Sequence, residues 1–155
     1  MKDSGFNAFA LHARQRLNAT LVPTDANGVK ALFKNLKQGG FSVILPDHVP
    51  QPSGGVVVPF FGVPCLTSTL ASKMAQKTQC RLVGLSCFRR EDGEGFEVYC
   101  DDLNDPELYD RDIEVATTAL NKAVEQMINR FPTEYMWGYK RFRGGTNHYK
   151  NANHS

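Results

Sequence analysis

Residues 45–62 read LPDHVPQPSGGVVVPFFG, and this stretch sets the class of the fold. It continues from Phe41–Leu45 (FSVIL), a run apolar on both faces, as in a strand buried within a sheet. That run stops at Pro46-Asp47. The chain then crosses a loop stiffened by Pro50 and Pro52 and loosened by Gly54 and Gly55, and turns apolar again at Val56–Phe61. Pro59 lacks a ladder donor, so the second run reads as a short strand or an edge. An acid just past a central strand occupies the place where open α/β sheets bind ligands. Gly54 and Gly55 let backbone approach such a ligand, and the prolines hold the loop's shape. A plain surface loop with Asp47 as a capping residue fits the same letters, and the residues alone leave both readings open.

Outward from this stretch, helix and strand signals alternate, which predicts an α/β fold. Phe6, Phe9, Ala10, Ala13 and Leu17 recur at helical spacing, so residues 4–17 read as an amphipathic helix capped by Ser4. Ala19–Pro23 is a strand candidate. A second helix carries Val29, Leu32, Phe33 and Leu36, opens after the turn residues 24–27 and ends at Gly39-Gly40. Leu66, Leu70, Ala71, Met74 and Ala75 form the stripe of a third helix. Arg81–Arg89 and Phe96–Cys100 predict a hairpin turning at residues 91–95. Residues 110–131 are the clearest helix, with acids Asp110 and Asp112 at its start, where the helix dipole favours anions. Residues 132–142 (PTEYMWGYKRF) read as a short aromatic and basic helix, and 144–155 as a flexible polar tail.

Length and composition narrow the classes. A chain of 155 residues suits one domain. A formal net charge of +2 argues against a dedicated nucleic-acid binder. No apolar run approaches the roughly 20 residues of a membrane span. Cys65, Cys80, Cys87 and Cys100 form no C-x-x-C pair and no zinc-finger spacing with histidine, so no metal site is expected. They read as buried free thiols.

Catalytic signatures are sparse. Gly84-Leu85-Ser86-Cys87-Phe88 lacks the second glycine of a nucleophile elbow, and there is no phosphate loop of the Walker type. None of His12, His48, His148 and His154 has an acid five residues on, the spacing that would orient an imidazole as a general base. The set Trp137, Tyr139, Lys140, Arg141, Phe142 and Arg143 interleaves aromatics with cations. It suits a membrane interface bearing anionic lipid, and equally a helix that buries its rings and shows its charges.

Taken together, LPD…GGVVVPFFGVP, the following Leu66-Thr67-Ser68-Thr69 and the late PTEYMWGYKRFR resemble the bacterial lipid A biosynthesis acyltransferases, the late lauroyl or myristoyl transferases of the lysophospholipid acyltransferase superfamily. The resemblance runs from about Ala10 to Arg143. It implies a glycerolipid-acyltransferase-like mixed sheet flanked by helices, with residues 1–143 as a partial acyltransferase domain. It implies transfer of a fatty acyl chain from acyl carrier protein to a hydroxyl of a Kdo-bearing lipid A precursor, without a cofactor. The setting would be peripheral, on the cytoplasmic face of the bacterial inner membrane, against an anionic lipid surface and away from nucleic acid. Arg14 matches the family's arginine ahead of its first central strand, and Arg16 is a second match. Asp47 matches its aspartate after the next strand. Arg14 and Asp47 would support catalysis, and with Arg16 bind the substrate. A guanidinium fork suits phosphate oxygens. Trp137, Lys140, Arg141 and Arg143 would face lipid. The family's His-x-x-x-x-Asp/Glu base motif and the anchor helix before it have no match here. The expectation is therefore of a C-terminal portion that is inactive by itself and leaves apolar surface uncovered. A non-catalytic remnant that binds lipid or protein is the alternative.

Overall fold

The computed structural model describes residues 9, 12, 19–22 and 25–143. The chain divides into two compact units, Met1–Ser42 and Val43–Ser155. In the first unit, α1 spans Ala26–Lys37. Asp25 caps it by accepting from the backbone N–H groups of Asn27 and Gly28 at 2.9 and 3.0 Å. Lys34 and Lys37 lie in its last turn, where cations oppose the helix dipole. Gly39, at φ +80°, stops it as expected. The helix read over residues 4–17 lies outside the described residues apart from Phe9 and His12. Residues 19–22 form no strand.

Among its described residues the second unit holds two hairpins and two α-helices. Strand β1 (Gly55–Phe60) pairs antiparallel with β2 (Val63–Ser68), in register from Gly55↔Ser68 to Phe60↔Val63. Phe61 and Gly62 make the turn, both at positive φ (48° and 74°), which matches the twist of a two-residue hairpin. The pair next to such a turn is hydrogen-bonded, and pairs alternate from there. Pro59↔Pro64 therefore falls at a position that needs no ladder donor, so the two prolines cost the hairpin nothing. The same alternation turns the carbonyls of Pro59 and Leu66 outward, away from the ladder.

Helix α2 (Leu70–Thr78) follows. Then β3 (Leu82–Arg89) and β4 (Phe96–Leu103) form the second antiparallel hairpin, from Leu82↔Leu103 to Arg89↔Phe96. Helix α3 (Ile113–Arg130) is capped by Asp112, which accepts from the Glu114 backbone N–H at 2.8 Å. It packs on β1, β3 and α2. Ala71, Leu108, Ala119 and Leu120 form one buried cluster, joined by Ile44, Leu82, Leu103 and Tyr109. Phe60, Cys65 and Ile128 form a second, joined by Phe61, Val124, Tyr135 and Phe142. Among the described residues no helix is long and apolar enough to cross a membrane.

The fold is α/β, as read, with corrections. Both sheets are two-stranded and antiparallel, so the mixed sheet is not what the described residues form. Phe41–Leu45 is not a strand: no ladder partner meets it among the described residues, and Phe41, Val43 and Leu45 are 86%, 73% and 58% exposed. Residues 66–68 belong to strand β2 rather than to the start of a helix, because the turn at Phe61-Gly62 sends the chain back along β1. Residues 132–142 are not a helix either. A single 3-10 turn at Pro132–Glu134 gives way to consecutive turns through Arg143. Of the cysteines, Cys65 is buried and Cys80 half-buried, whereas Cys87 and Cys100 are exposed. Strand alternation puts those two on the outward face of the second hairpin with Val83, Leu85, Phe96 and Val98.

Candidate functional site

The loop after Leu45 is poor in its own hydrogen bonds. Pro46, Pro50 and Pro52 carry no N–H, so its shape must be set by neighbours. At its far end the backbone N–H and the hydroxyl of Thr69 both donate to the Gly54 carbonyl, at 3.1 and 3.2 Å. A Cβ on Gly55 would stand 2.6 Å from the Thr67 carbonyl oxygen, so glycine permits the loop to lie flat on β2.

At its near end the loop is held by residues from beyond α3. Tyr135 Oη donates to Asp47 Oδ2 at 3.0 Å. The Val49 backbone N–H donates to Tyr139 Oη at 2.9 Å. The His48 ring lies tilted against Tyr139, centroids 5.5 Å apart. Tyr135 stacks edge-on with Trp137 at 4.9 Å, and Trp137 meets Phe61 of the β1–β2 turn at 5.7 Å. Burial pushes the Tyr135 phenol well above its ordinary range, and the negative charge of Asp47 adds to this. The phenol thus keeps its proton and remains a donor to the carboxylate.

Arg141 sits deeper. It is 2% exposed. Its Nη1 donates to the outward carbonyl of Leu66 at 2.8 Å and its Nη2 to Thr67 Oγ1 at 2.7 Å. The guanidinium lies 4.9 Å over the Phe60 ring. Its Nε is buried with no hydrogen-bond partner. Asn121 on α3 closes the network, its amide donating to the other outward carbonyl, Pro59, at 2.7 Å and to Thr67 Oγ1 at 3.2 Å. The Thr67 hydroxyl accepts from both and donates to the Cys65 carbonyl at 3.4 Å, which uses its full capacity.

Arg14 and Arg16 lie outside the described residues, so only Asp47 of the expected substrate-binding set has a described position, in a half-buried loop. Of the residues expected to face lipid, Trp137, Lys140 and Arg143 are exposed, and the Arg143 guanidinium lies 5.8 Å over the Tyr139 ring. Arg141 is the correction: it is a buried cap on the free edge of β2, not a surface cation. Tyr135 and Asn121 were given no site role in the sequence reading, Thr67 served only as part of the family resemblance, and Tyr139 only as part of the aromatic and cationic set read for a membrane interface. The available signal was the two-residue alternation Tyr139-Lys140-Arg141, in, out, in. A shallow cavity of about 130 Å³ elsewhere in this unit is lined by residues that include Asp102, Asp105, Leu108 and Lys122, and it holds none of the candidate residues. Among the described residues no three His, Cys, Asp or Glu side chains group as metal ligands.

Comparison with known proteins bears on the same residues. The family described as bacterial lipid A biosynthesis acyltransferase matches residues 2–144. A lipid A biosynthesis lauroyltransferase of Escherichia coli is 32% identical over 131 residues, which cover 83% of this chain and 42% of that protein. A lipid A biosynthesis acyltransferase of Haemophilus influenzae is 28% identical over 137 residues, covering 86% and 43%. A lipid A biosynthesis palmitoleoyltransferase of Escherichia coli is 23% identical over 134 residues, with the same coverage of 86% and 43%. The chain thus spans less than half the length of the curated relatives it matches.

Proposed function

The chain belongs to the bacterial lipid A biosynthesis acyltransferases, and from that membership we propose that it supplies the acceptor side of an acyl transfer in lipid A biosynthesis. The donor is the acyl thioester of acyl carrier protein, and the acceptor is a hydroxyl of a Kdo-bearing lipid A precursor. The hydroxyl oxygen attacks the thioester carbonyl, an ester C–O bond forms, the C–S bond breaks, and the hydroxyl proton passes by way of a base to the leaving thiolate. Donors aimed at the carbonyl oxygen stabilise the oxyanion on the way. Arg14 and Arg16 pair with acceptor phosphates, and Asp47 meets the acceptor from its tethered loop. The observation that carries this reading is Asp47 itself, held by a half-buried phenol on a loop pinned at both ends.

These 155 residues hold no histidine with an acid five positions on. General-base help contributes about 10²–10⁴-fold, so the 155 residues alone should bind the precursor and turn it over near background. The test measures both, with acyl-loaded carrier protein and the precursor in micelles. Binding that Asp47→Asn and Arg14→Ala each weaken is the expected result. Failure to bind, or robust turnover by the 155 residues alone, refutes the proposal.

A second reading, a peripheral lipid-binding module at the cytoplasmic face of the inner membrane, is favoured by exposed Trp137, Lys140 and Arg143. It expects flotation with anionic vesicles free of the precursor, lost in Lys140→Glu/Arg143→Glu. Arg141 has no place in that test, because its charge is buried.

A further inference from the structure

The segment after α3 stands apart from everything so far assigned to it. We propose that Tyr135 and Tyr139 are positioning residues that fix the geometry of the Asp47 loop, with Arg141 anchoring the segment that carries them. This rests on the reading above that Asp47 meets the acceptor.

Three side chains make the arrangement. Tyr135 grips the loop at the Asp47 carboxylate and Tyr139 grips it two residues later at the Val49 amide. Arg141, two residues on again, is fastened to the Leu66 carbonyl and the Thr67 hydroxyl of β2. The loop between Pro46 and Pro52 has few backbone donors of its own, so these outside contacts decide where the carboxylate points. Among the described residues the Tyr135 bond engages Oδ2, which leaves Oδ1 to an acceptor hydroxyl or a guanidinium. A carboxylate that is already oriented loses less freedom when it binds. The aromatic residues of this segment thereby acquire a use unrelated to lipid: one phenol orients, the other pins, and a buried cation holds both in place.

The test uses the 155-residue chain with Tyr135→Phe, Tyr139→Phe, Asp47→Asn and the double variant Tyr135→Phe/Asp47→Asn. Phenylalanine keeps each ring and removes only the hydroxyl. The first readout is amide exchange. Val49 should exchange faster in Tyr139→Phe while the β1–β2 ladder keeps its protection; unchanged exchange at Val49, or loss of protection throughout the hairpin, overturns the proposal. The second is binding of the Kdo-bearing precursor in micelles, followed through Trp137, the chain's single tryptophan, which touches Tyr135. Tyr135→Phe should weaken binding about two- to tenfold, the cost of ordering one side chain that the phenol otherwise holds in advance. The double variant should bind no more weakly than Asp47→Asn alone, because the phenol acts through the carboxylate. Additive losses, or wild-type affinity in Tyr135→Phe, overturn it. If Asp47→Asn binds as wild type does, the acceptor reading of Asp47 falls, and amide exchange alone then decides whether the tyrosines hold the loop.

Discussion

Replacing Arg141 tests whether its burial governs the second unit. Its two bonds from a charged donor contribute about 1.5–3 kcal/mol each in principle, and its desolvated position over Phe60 about 2 kcal/mol more. Against these stands the cost of burying a guanidinium with no carboxylate in its bonding shell, several kcal/mol for a buried ion. Arg141→Ala removes both sides of that balance, so the loss is not their sum. What remains is a void, worth about 2–5 kcal/mol for a large side chain cut to alanine, and the Leu66 carbonyl left without its donor on the free edge of β2, about 1–3 kcal/mol. The Thr67 hydroxyl is spared, because Asn121 still donates to it. Water entering the void offsets part of each, so the expected destabilisation is about 3–4 kcal/mol. Arg141→Met fills most of the space, leaves only the carbonyl unmet and should cost about 1–2 kcal/mol. Arg143→Ala, at an exposed position, should stay within about 0.5 kcal/mol of wild type. Urea unfolding followed by Trp137 emission reports on this unit. With a slope of about 2 kcal/mol per molar, Arg141→Ala moves the midpoint down by roughly 1.5–2 M. A midpoint for Arg141→Ala indistinguishable from that of Arg143→Ala would refute the buried-cap argument and return Arg141 to the surface.

Three other outcomes follow from local geometry. Asp101 is held below the usual carboxylate range, chiefly by the hydrogen bonds from Arg130 at 2.6 and 3.1 Å, so its contribution is complete above the ordinary carboxylate range and lost as pH falls through the lowered value. Arg130→Ala should therefore lower the urea midpoint near neutral pH, and the gap to wild type should close in strong acid; a gap that does not change with pH would contradict the ion pair. Gly55→Ala places its Cβ 2.6 Å from a backbone oxygen, whereas in Gly84→Ala the nearest atom is the movable thioether of Met127. Gly55→Ala should cost more, about 2–3 kcal/mol against about 1 kcal/mol for Gly84→Ala, and thermal unfolding showing the reverse order would disprove the packing at Gly55. Thiol labelling followed by mass spectrometry should modify Cys87 and Cys100 first and Cys65 only on unfolding; early modification of Cys65 would show that the Phe60 cluster opens.

What could be read from the letters follows the range of each interaction. Helices α1 and α3 and the β3–β4 hairpin were legible because caps, stripes and turn residues lie close together in sequence. Strand β2 was not, because Leu66, Leu70, Ala71 and Met74 imitate a helical stripe and only pairing with β1 reveals the strand. Phe41–Leu45 fails for the opposite reason. Its letters suit a buried strand, yet a strand exists only where a partner meets it, and the described residues provide none. The candidate site divides the same way. Asp47 could be picked out by its position after Leu45-Pro46, but the phenol that orients it is 88 residues distant, and no local pattern encodes that bond. Arg141 was misread because arginine is rarely buried. Its burial depends on two conditions that sequence spacing does not display. One is the register of β1 and β2, set by a two-residue turn, which points the Leu66 carbonyl outward. The other is the absence of a helix after Pro132, which lets alternate residues of the segment reach inward. Were residues 132–142 helical, Tyr139 and Arg141 would project about 200° apart around the axis rather than toward one side, and a single segment could not both pin the Val49 amide and cap β2.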